Sequence, residues 1–310
     1  MTRVAAIDCG TNSIRLYVAD VFADSSDPDM VDVVRRMTVV RLGEGVDRTG
    51  RFSDEAIERT LVALRDYTYE LRVLGAERVR MVATSAARDA TNSAQFLDAA
   101  EEVLGIRPEV ISGDEEARLS FHGAISGLRP DAGNGPPFLV VDIGGGSTEF
   151  VLGADEVTAA RSVDIGCVRL TERSLRSDPP TDAEIRAATR LVDELIATAA
   201  QTVPVRDAAT LVAVAGSATT VAAIALALPA YDPVAIHGSV LSAAQVHGVA
   251  DRLLAMPRVQ RAAMPVMHPG RVDVIGAGAL ILSRIVEQVG VSEVVISEHD
   301  ILDGIAWYLG

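Results

Sequence analysis

The stretch Phe138–Gly153, FLVVDIGGGSTEFVLG, decides the predicted fold. Its apolar start, Phe138–Val141, predicts a buried strand that ends on a carboxylate. The residues that follow combine glycines with hydroxyl and carboxylate side chains: Asp142, Gly144, Gly145, Gly146, Ser147, Thr148 and Glu149. Glycine has no Cβ, so such a backbone can fold tightly and bring its N–H groups against an anion. The pattern favours a phosphate-binding turn, and a plain hairpin with a glycine-rich turn is the alternative.

The N-terminal stretch Val4–Asp20, VAAIDCGTNSIRLYVAD, repeats this arrangement. An apolar strand ends near a carboxylate and a glycine, polar residues follow, and a second strand begins: Asp8, Gly10, Thr11, Asn12, Ser13 and Arg15. After each copy comes a third strand candidate, at Val31–Leu42 or Val157–Val163, and then a long helix. An internal repeat of this kind predicts two similar α/β lobes with a ligand cleft between them.

Length and composition predict a compact protein of two domains. The 310 residues, 49% of them hydrophobic, are enough for a sizeable core. We expect one lobe at 1–130 and a second at 131–297, joined by a Pro- and Gly-rich linker at 129–137, with a C-terminal helix at 298–310 packing back onto the first lobe. The sequence shows neither a secretory leader pattern nor an apolar run of membrane-spanning length, so we expect a cytoplasmic protein with no membrane partner.

The charge of the chain restricts its partners. The formal net charge is −15, from 28 basic and 43 acidic residues, and such a surface repels nucleic acid and acidic membranes. Every one of the basic residues is arginine. The absence of lysine excludes a P-loop GKS/T motif and a lysine nucleophile. Arginine, with its planar fork, is therefore left as the cationic side chain that would bind phosphate.

Two polar segments follow predicted strands, and each has two interpretations. Arg88 lies four residues after the strand Val79–Thr84, where loops of parallel sheets often meet ligands. It either binds an anion or caps the helix Ser93–Leu104. Asp114, Glu115 and Glu116 begin the next helix. They either complement the positive end of the helix dipole or supply a general base for water.

Three other features favour structural roles. Cys9 and Cys167 cannot form a disulfide framework, and each lies beside a glycine, which favours small buried thiols over reactive ones. His268 lies in a polar loop, where a turn residue is favoured over a ligand. The segment Ala215–Thr220 predicts a tight strand-to-helix turn.

Five motifs in this order carry a resemblance to a known family: DCGTNSIRL from Asp8, ATSAARDATN from Ala83, ISGDEEARL from Ile111, DIGGGSTEF from Asp142 and AGSATT from Ala215. Over nearly its whole length the chain resembles the exopolyphosphatase and guanosine pentaphosphate phosphohydrolase family. That family belongs to the superfamily of acetate and sugar kinases, heat-shock chaperones and actin. The resemblance implies an α/β fold of two similar RNase-H-like lobes, each a mixed five-stranded sheet flanked by helices, with an active-site cleft between them.

The resemblance also implies roles for individual residues. Glu116 would be the general base for the attacking water. Asp142 and Glu149 would hold Mg²⁺, with Mn²⁺ as an alternative ion and Asp8 as a further contributor. The phosphate chain would be held by Thr11, Asn12, Ser13, Arg15, Arg88, Gly144, Gly145, Gly146, Ser147 and Thr148.

The implied activity is hydrolysis of the terminal phosphoanhydride of inorganic polyphosphate. The chain ends near Gly310 without the additional helical domain of longer members, which is linked to holding long polymers. We therefore expect a preference for short polyphosphate. Guanosine pentaphosphate, a stringent-response nucleotide, is the alternative substrate. A kinase, an actin-like filament and a nucleotide-switched binding protein are less favoured, and a homodimer is left open.

Overall fold

The computed structural model describes residues 1–22, 29–128 and 135–310. These residues form two compact units, Met1–Gly123 together with Ile301–Gly310, and Ala124–Asp300. The predicted boundary at 130/131 and most of the predicted linker lie outside the described residues. Among the described helices, none combines the length and the apolar character that crossing a bilayer requires.

The described strands are β1 (Thr2–Cys9), β2 (Ser13–Phe22), β3 (Asp29–Val39), β4 (Arg78–Ala83), β5 (Glu109–Val110), β6 (Phe138–Ile143), β7 (Thr148–Gly153), β8 (Val157–Val163), β9 (Thr210–Val214), β10 (Val240–Ser242) and β11 (Glu293–Ile296). The described helices are α1 (Val46–Thr49), α2 (Asp54–Leu74), α3 (Ser85–Asp89), α4 (Ser93–Leu104), α5 (Gly113–Ile125), α6 (Cys167–Ser174), α7 (Asp182–Ala200), α8 (Ala215–Ala225), α9 (Pro233–Ile236), α10 (Ala243–Ala255), α11 (Arg258–Ala262), α12 (Ile275–Val289) and α13 (Ile301–Leu309). Short 3-10 helices cover Val205–Asp207 and Pro269–Arg271.

The first unit is built on a mixed sheet whose five described strands lie in the order β3-β2-β1-β4-β5. β1 pairs antiparallel with β2 and parallel with β4. Successive residues of β1 enter different cores, because side chains alternate between the faces of a strand. Ile7 packs in the core that includes residues of α2 and α4, whereas Val4 and Ala6 pack with α13. Both faces of this sheet are therefore covered.

The C-terminal helix α13 packs against β1 and β2 of the first unit. A Cβ on Gly304 would lie less than 3.0 Å from the backbone of Leu119 in α5, so glycine permits this close approach. On the sheet side, the buried carboxylate of Asp303 accepts hydrogen bonds from Arg35, whose guanidinium lies 3.8 Å from the ring centroid of Tyr17. Helix α13 is thus held by an ion pair with a buried carboxylate as well as by apolar packing.

The second unit contains a mixed sheet whose six described strands lie in the order β10-β11-β9-β6-β7-β8. We predicted five strands in each lobe, which holds for the first sheet, whereas the second has one more. The additional strand, β10, is only three residues long and pairs antiparallel with β11. A segment of that length shows no alternation that a sequence pattern could reveal. α12 packs among α6, α7, α8 and α10 and is buried along most of its length.

Candidate active site

The predicted N-terminal phosphate turn joins β1 to β2. The Gly10 N–H donates to the Ser13 carbonyl at 3.0 Å and closes the turn. Gly43, in the segment that follows β3, donates its N–H to the Thr11 carbonyl at 2.8 Å. A Cβ on Gly43 would lie less than 3.0 Å from the Thr11 side chain, so only glycine fits this contact. Thr11 is buried at this contact. The Asn12 carbonyl also accepts hydrogen bonds from this segment, from the N–H groups of Val40 and Arg41.

Asp8 and Arg15 face each other across this turn. The two residues are direct cross-strand partners of β1 and β2. Arg15 donates to the Asp8 carboxylate through Nη2 at 2.6 Å and Nε at 3.0 Å. Charge-assisted contacts of this length fix the guanidinium in place. The negative charge of Asp8 is therefore balanced by the guanidinium of Arg15.

Arg88 and Glu116 are brought together by α3 and α5. Nη1 of Arg88 donates to Glu116 Oε2 at 2.7 Å and to the Ile111 carbonyl at 3.0 Å. Glu116 is buried, whereas the neighbouring Glu115 is more exposed and pairs with Arg80 at 2.6 Å. Glu116 is thus more than a first-turn residue that complements a helix dipole. Its carboxylate is buried and oriented by an arginine.

The glycine turn between β6 and β7 repeats the first turn, because the Gly144 N–H donates to the Ser147 carbonyl, again at 3.0 Å. The carbonyls of all three glycines are also held by α6. The contacts are Cys167 N to Gly144 O at 3.0 Å, Val168 N and Arg169 N to Gly145 O at 2.9 and 3.1 Å, and Arg169 Nε to Gly146 O at 2.7 Å. The start of α6 therefore fixes the backbone of the predicted phosphate turn.

Both hydroxyl-bearing residues of this turn are buried. The Thr148 hydroxyl donates to the Ile165 carbonyl at 2.6 Å, and Thr148 is fully buried. Ser147 is also buried, at 2% exposure. The structure thus gives the Thr148 hydroxyl a structural hydrogen bond, and its contact with phosphate stays a prediction.

Asp142 and Glu149 form a pair of carboxylates on adjacent strands. They are direct cross-strand partners, and they are only 7% and 1% exposed. Like charges directly opposite each other destabilise a sheet. The equivalent pair in the first unit is Asp8 with Arg15, where the second charge is positive. Oxygen ligands of this kind fit a hard divalent cation such as Mg²⁺.

A complete metal cage of protein groups is not present in the described parts of the chain, which hold no cluster of three or more His, Cys, Asp or Glu that could bind an ion. Mg²⁺ is usually bound by one or two carboxylates, with waters and substrate phosphates completing its shell. The pair Asp142 and Glu149 fits that pattern.

Ser162 contacts one member of the carboxylate pair, Glu149, and the sequence analysis did not identify it. It lies opposite Glu149 on β8, and its hydroxyl donates to Glu149 Oε1 at 2.7 Å. Nothing in the sequence near Ser162 indicates this contact, because it depends on the register of β7 with β8. The hydrogen bond fixes the direction of the carboxylate.

If Glu149 holds Mg²⁺ as predicted, we expect Ser162→Ala to raise the Mg²⁺ concentration needed for half-maximal activity about 10- to 100-fold, the usual effect of losing a partner of a metal ligand. Metal titration of the activity measures this. Thr158→Ala is the matched control, since Thr158 on the same strand donates to the Leu152 carbonyl instead. Equal metal requirements in both variants and the wild type would contradict the role of Ser162.

The turn at Ala215–Thr220 is contacted by an arginine that the sequence did not single out. Arg271 Nη1 donates to the Gly216 carbonyl at 3.0 Å and the Thr220 hydroxyl at 2.9 Å. A Cβ on Gly216 would lie less than 3.0 Å from the guanidinium.

His268 has the contact of a turn residue, because its ring accepts a hydrogen bond from the Gly270 N–H at 3.1 Å. Burial and the nearby charge of Arg271 lower the pKa of His268.

The two cysteines have the environment of structural thiols. Both are buried and free. Burial raises the pKa of the Cys9 thiol and that of the Cys167 thiol, so neither is poised as a thiolate nucleophile.

Known proteins share this architecture and sequence. A profile of the Ppx/GppA phosphatase family matches residues 18–307. The chain is 54% identical to Exopolyphosphatase 2 of Mycobacterium tuberculosis, over 99% of this chain and 98% of that protein. It matches the crystal structure of an exopolyphosphatase-like protein with a TM-score of 0.95 and 44% identity, over 100% of this chain and 98% of that one. It matches the Aquifex aeolicus Ppx/GppA family member with a TM-score of 0.80 and 30% identity, over 99% and 97% of the two chains.

The two mixed sheets flanked by helices define a protein of the actin-like two-lobe class. Within that class, the chain belongs to the Ppx/GppA phosphatase family. It is therefore an enzyme of the hydrolase class, as the resemblance implied.

Proposed function

We propose that this protein is an exopolyphosphatase that hydrolyses the terminal phosphoanhydride of inorganic polyphosphate, preferably of short chains, with Mg²⁺ as its cofactor. The observation that carries the proposal is the buried pair Asp142 and Glu149 beside a glycine turn whose carbonyls are fixed by α6. The end-to-end identity of 54% with a protein named Exopolyphosphatase 2 supports polyphosphate as the substrate.

Hydrolysis of a phosphoanhydride requires positioning of the substrate and stabilisation of charge more than covalent catalysis. Phosphoryl transfer passes through a transition state whose charge is spread over the equatorial oxygens. A bound Mg²⁺ would neutralise part of that charge. In the first unit we propose Thr11, Asn12, Ser13, Arg15 and Arg88 as phosphate contacts. In the second unit we propose the glycine turn with Ser147 and Thr148 for the phosphates, and Asp142 and Glu149 for the metal. Asp8 is proposed only as a further contributor, because it already holds Arg15.

Glu116 is the proposed general base. It would accept a proton from the attacking water through its carboxylate, which Arg88 orients at 2.7 Å. Arg88 is able to serve two partners, because the two hydrogen bonds that its guanidinium donates to other described residues both use Nη1. The guanidinium has further donors on Nε and Nη2, which suit a phosphate oxygen.

We expect Asp142→Asn to raise the Mg²⁺ requirement by at least about 10-fold, since an amide is a neutral and weaker ligand for a hard cation. Activity is measured against Mg²⁺ concentration at saturating tripolyphosphate. Asp164→Asn is the control, because Asp164 is an exposed carboxylate of the same unit. An Asp142→Asn enzyme with the wild-type titration would remove Asp142 from the proposed metal site.

The substrate is tested by phosphate release from short polyphosphate, long polyphosphate and guanosine pentaphosphate at matched concentrations of terminal phosphate. Faster release from short polyphosphate supports the proposal. A preference for the nucleotide would make the protein a guanosine pentaphosphate 5′-phosphohydrolase, an activity that the family name also covers. No release from any of the three, with Mg²⁺ and Mn²⁺ both supplied, would overturn the proposed function.

A further inference from the structure

Asn92, the last residue of the motif ATSAARDATN, directly precedes α4 as its N-cap. Asparagine is favoured at this position because its side-chain oxygen can accept a hydrogen bond from an N–H group of the first helical turn. The Asn92 side chain makes no such bond to the described residues of α4. The usual local reason for an asparagine at an N-cap therefore does not apply here.

The Asn92 side chain binds the backbone of Phe52 instead. Its Oδ1 accepts a hydrogen bond from the Phe52 N–H at 2.8 Å, and its Nδ2 donates to the Phe52 carbonyl at 3.1 Å. Both residues are buried, so removing the amide would leave buried polar groups of Phe52 without this partner, which is costly. The neighbouring Thr91 donates its N–H and its hydroxyl to the Gly50 carbonyl, both at 2.9 Å. The junction of α3 and α4 is thereby bound to residues 50 and 52.

These two residues end a segment that begins at the predicted phosphate turn of the first unit. We call residues 43–52, which include α1, the α1 segment. At its start, the Gly43 N–H donates to the Thr11 carbonyl at 2.8 Å. A Cβ on Gly43 would also lie only 3.1 Å from the Cβ of Ala86 in α3. The α1 segment therefore contacts the turn and α3 at one end, and the junction after α3 at the other.

Arg88 lies between the two ends of α3, as the fourth of its five residues. A helix this short depends on contacts with the rest of the protein for its stability. Before the helix, Thr84 donates its N–H to the Cys9 carbonyl at 3.2 Å. After the helix, the attachment is the pair of hydrogen bonds from Asn92. The direction of the Arg88 side chain, which donates to Glu116 at 2.7 Å, depends on both attachments.

We propose that Asn92 is a positioning residue for Arg88, the proposed phosphate contact on α3. Through Phe52 and the α1 segment, the Asn92 side chain holds α3 at a fixed distance from the turn at residues 11–13. Asn92 needs no contact with the substrate, because it acts through the Arg88 guanidinium and the Glu116 carboxylate that this guanidinium orients. This inference rests on the proposed function, because it assumes that Arg88 binds phosphate.

The test is a double-mutant cycle of Asn92→Ala and Arg88→Gln, with kcat/KM for tripolyphosphate measured in the wild type, both single variants and the double variant. Asn92→Ala alone should lower kcat/KM about 10- to 100-fold, because a displacement of about 1 Å in a group that positions substrate is costly. Arg88→Gln removes the group that Asn92 positions. In that background, Asn92→Ala should lower kcat/KM by less than about two-fold further, since residues that act through one another are not additive.

Thr68→Val is the matched control for the loss of a buried hydrogen bond. Thr68 is buried in α2 of the same unit, and its hydroxyl donates to the Leu64 carbonyl at 2.8 Å. The control should lower the melting temperature Tm, as Asn92→Ala does, but keep kcat/KM within about two-fold of the wild type. If Asn92→Ala does not fold, Asn92→Asp replaces it, since aspartate still accepts from the Phe52 N–H but cannot donate to the Phe52 carbonyl.

Two results would overturn the proposal. One is a kcat/KM of the Asn92 variant that stays within about two-fold of the wild type, which would make the contact with Phe52 purely structural. The other is an equal loss in the wild-type and Arg88→Gln backgrounds, which would show that Asn92 does not act through Arg88.

Calorimetric binding of tripolyphosphate separates this failure from failure of the proposed function. If the wild type binds tripolyphosphate but releases no phosphate, the proposed hydrolysis fails. A weaker affinity of Asn92→Ala that disappears in the Arg88→Gln background still supports the positioning role in that case. If the wild type does not bind, or if the Asn92 substitution weakens binding equally in both backgrounds or not at all, the positioning role is wrong.

Discussion

Glu116→Gln is expected to slow phosphate release from tripolyphosphate about 10²- to 10⁴-fold, the usual effect of losing a general base. Glutamine keeps the size of the side chain, and its carbonyl oxygen can still accept the hydrogen bond from Arg88 Nη1. It cannot accept a proton from water at neutral pH. The effect should therefore fall on kcat, while calorimetry should show tripolyphosphate binding close to that of the wild type.

The neighbouring Glu115 provides the matched control for this variant. It lies on the same first turn of α5, but it pairs with Arg80 at 2.6 Å and is more exposed than Glu116. Glu115→Gln removes the same charge and should retain kcat within about two-fold, because surface ion pairs contribute little. A wild-type kcat in Glu116→Gln, or equal losses in both variants, would contradict Glu116 as the base.

Gly166→Ala is expected to lower kcat/KM by about 10²-fold or more. Gly166 directly precedes α6, and a Cβ there would lie less than 3.0 Å from backbone atoms of Gly145 and Gly146. Both sides of this contact are main chain, so the glycine turn has to move. A displacement of about 1 Å in a group that positions substrate can cost 10²-fold in rate. Steady-state kinetics with tripolyphosphate measures the loss.

Gly248→Ala tests whether the loss is specific. Gly248 lies inside α10 of the same unit, and a Cβ there would meet nothing within 4 Å. Alanine is the better helix former by about 1 kcal/mol, so Tm should stay the same or rise and activity should be kept. Hydrogen exchange of the amides of residues 144–147 should increase in Gly166→Ala alone. A Gly166→Ala enzyme with wild-type kinetics would show that the position of the glycine turn does not matter.

The features that the sequence predicted well are local. Each turn is formed by consecutive residues. In each, an aspartate precedes its cross-strand partner by seven positions, as Asp8 precedes Arg15 and Asp142 precedes Glu149. Strand, glycine turn and second strand therefore follow from the chain itself, and with them the register of the carboxylates. The prediction of two mixed sheets flanked by helices is confirmed, since both sheets grow from such hairpins.

The features that the sequence did not predict depend on distant parts of the chain. Ser162 reaches Glu149 only through the pairing of β7 with β8. Arg271 contacts Gly216, which is 55 positions earlier. The left-handed conformation of Arg41 depends on hydrogen bonds to the turn at residues 11 and 12. No local pattern encodes these contacts, because packing between separate elements decides them.

The role of Arg88 illustrates the same limit. The sequence left open whether Arg88 binds an anion or caps a helix, and it gave no sign that Arg88 contacts Glu116. The structure joins the two residues at 2.7 Å, because α3 and α5 both follow strands of one sheet. Glu116 as base and Arg88 as phosphate contact remain predictions, and they now have to be tested as a coupled pair.

The central claim is that water attacks the terminal phosphorus of polyphosphate. The most direct measurement is hydrolysis of tripolyphosphate in ¹⁸O-labelled water with Mg²⁺, stopped early and analysed by mass spectrometry. Attack at the terminal phosphorus places one labelled oxygen in each released orthophosphate and none in the pyrophosphate that remains. Label in the pyrophosphate, or no labelled orthophosphate at all, would contradict this account.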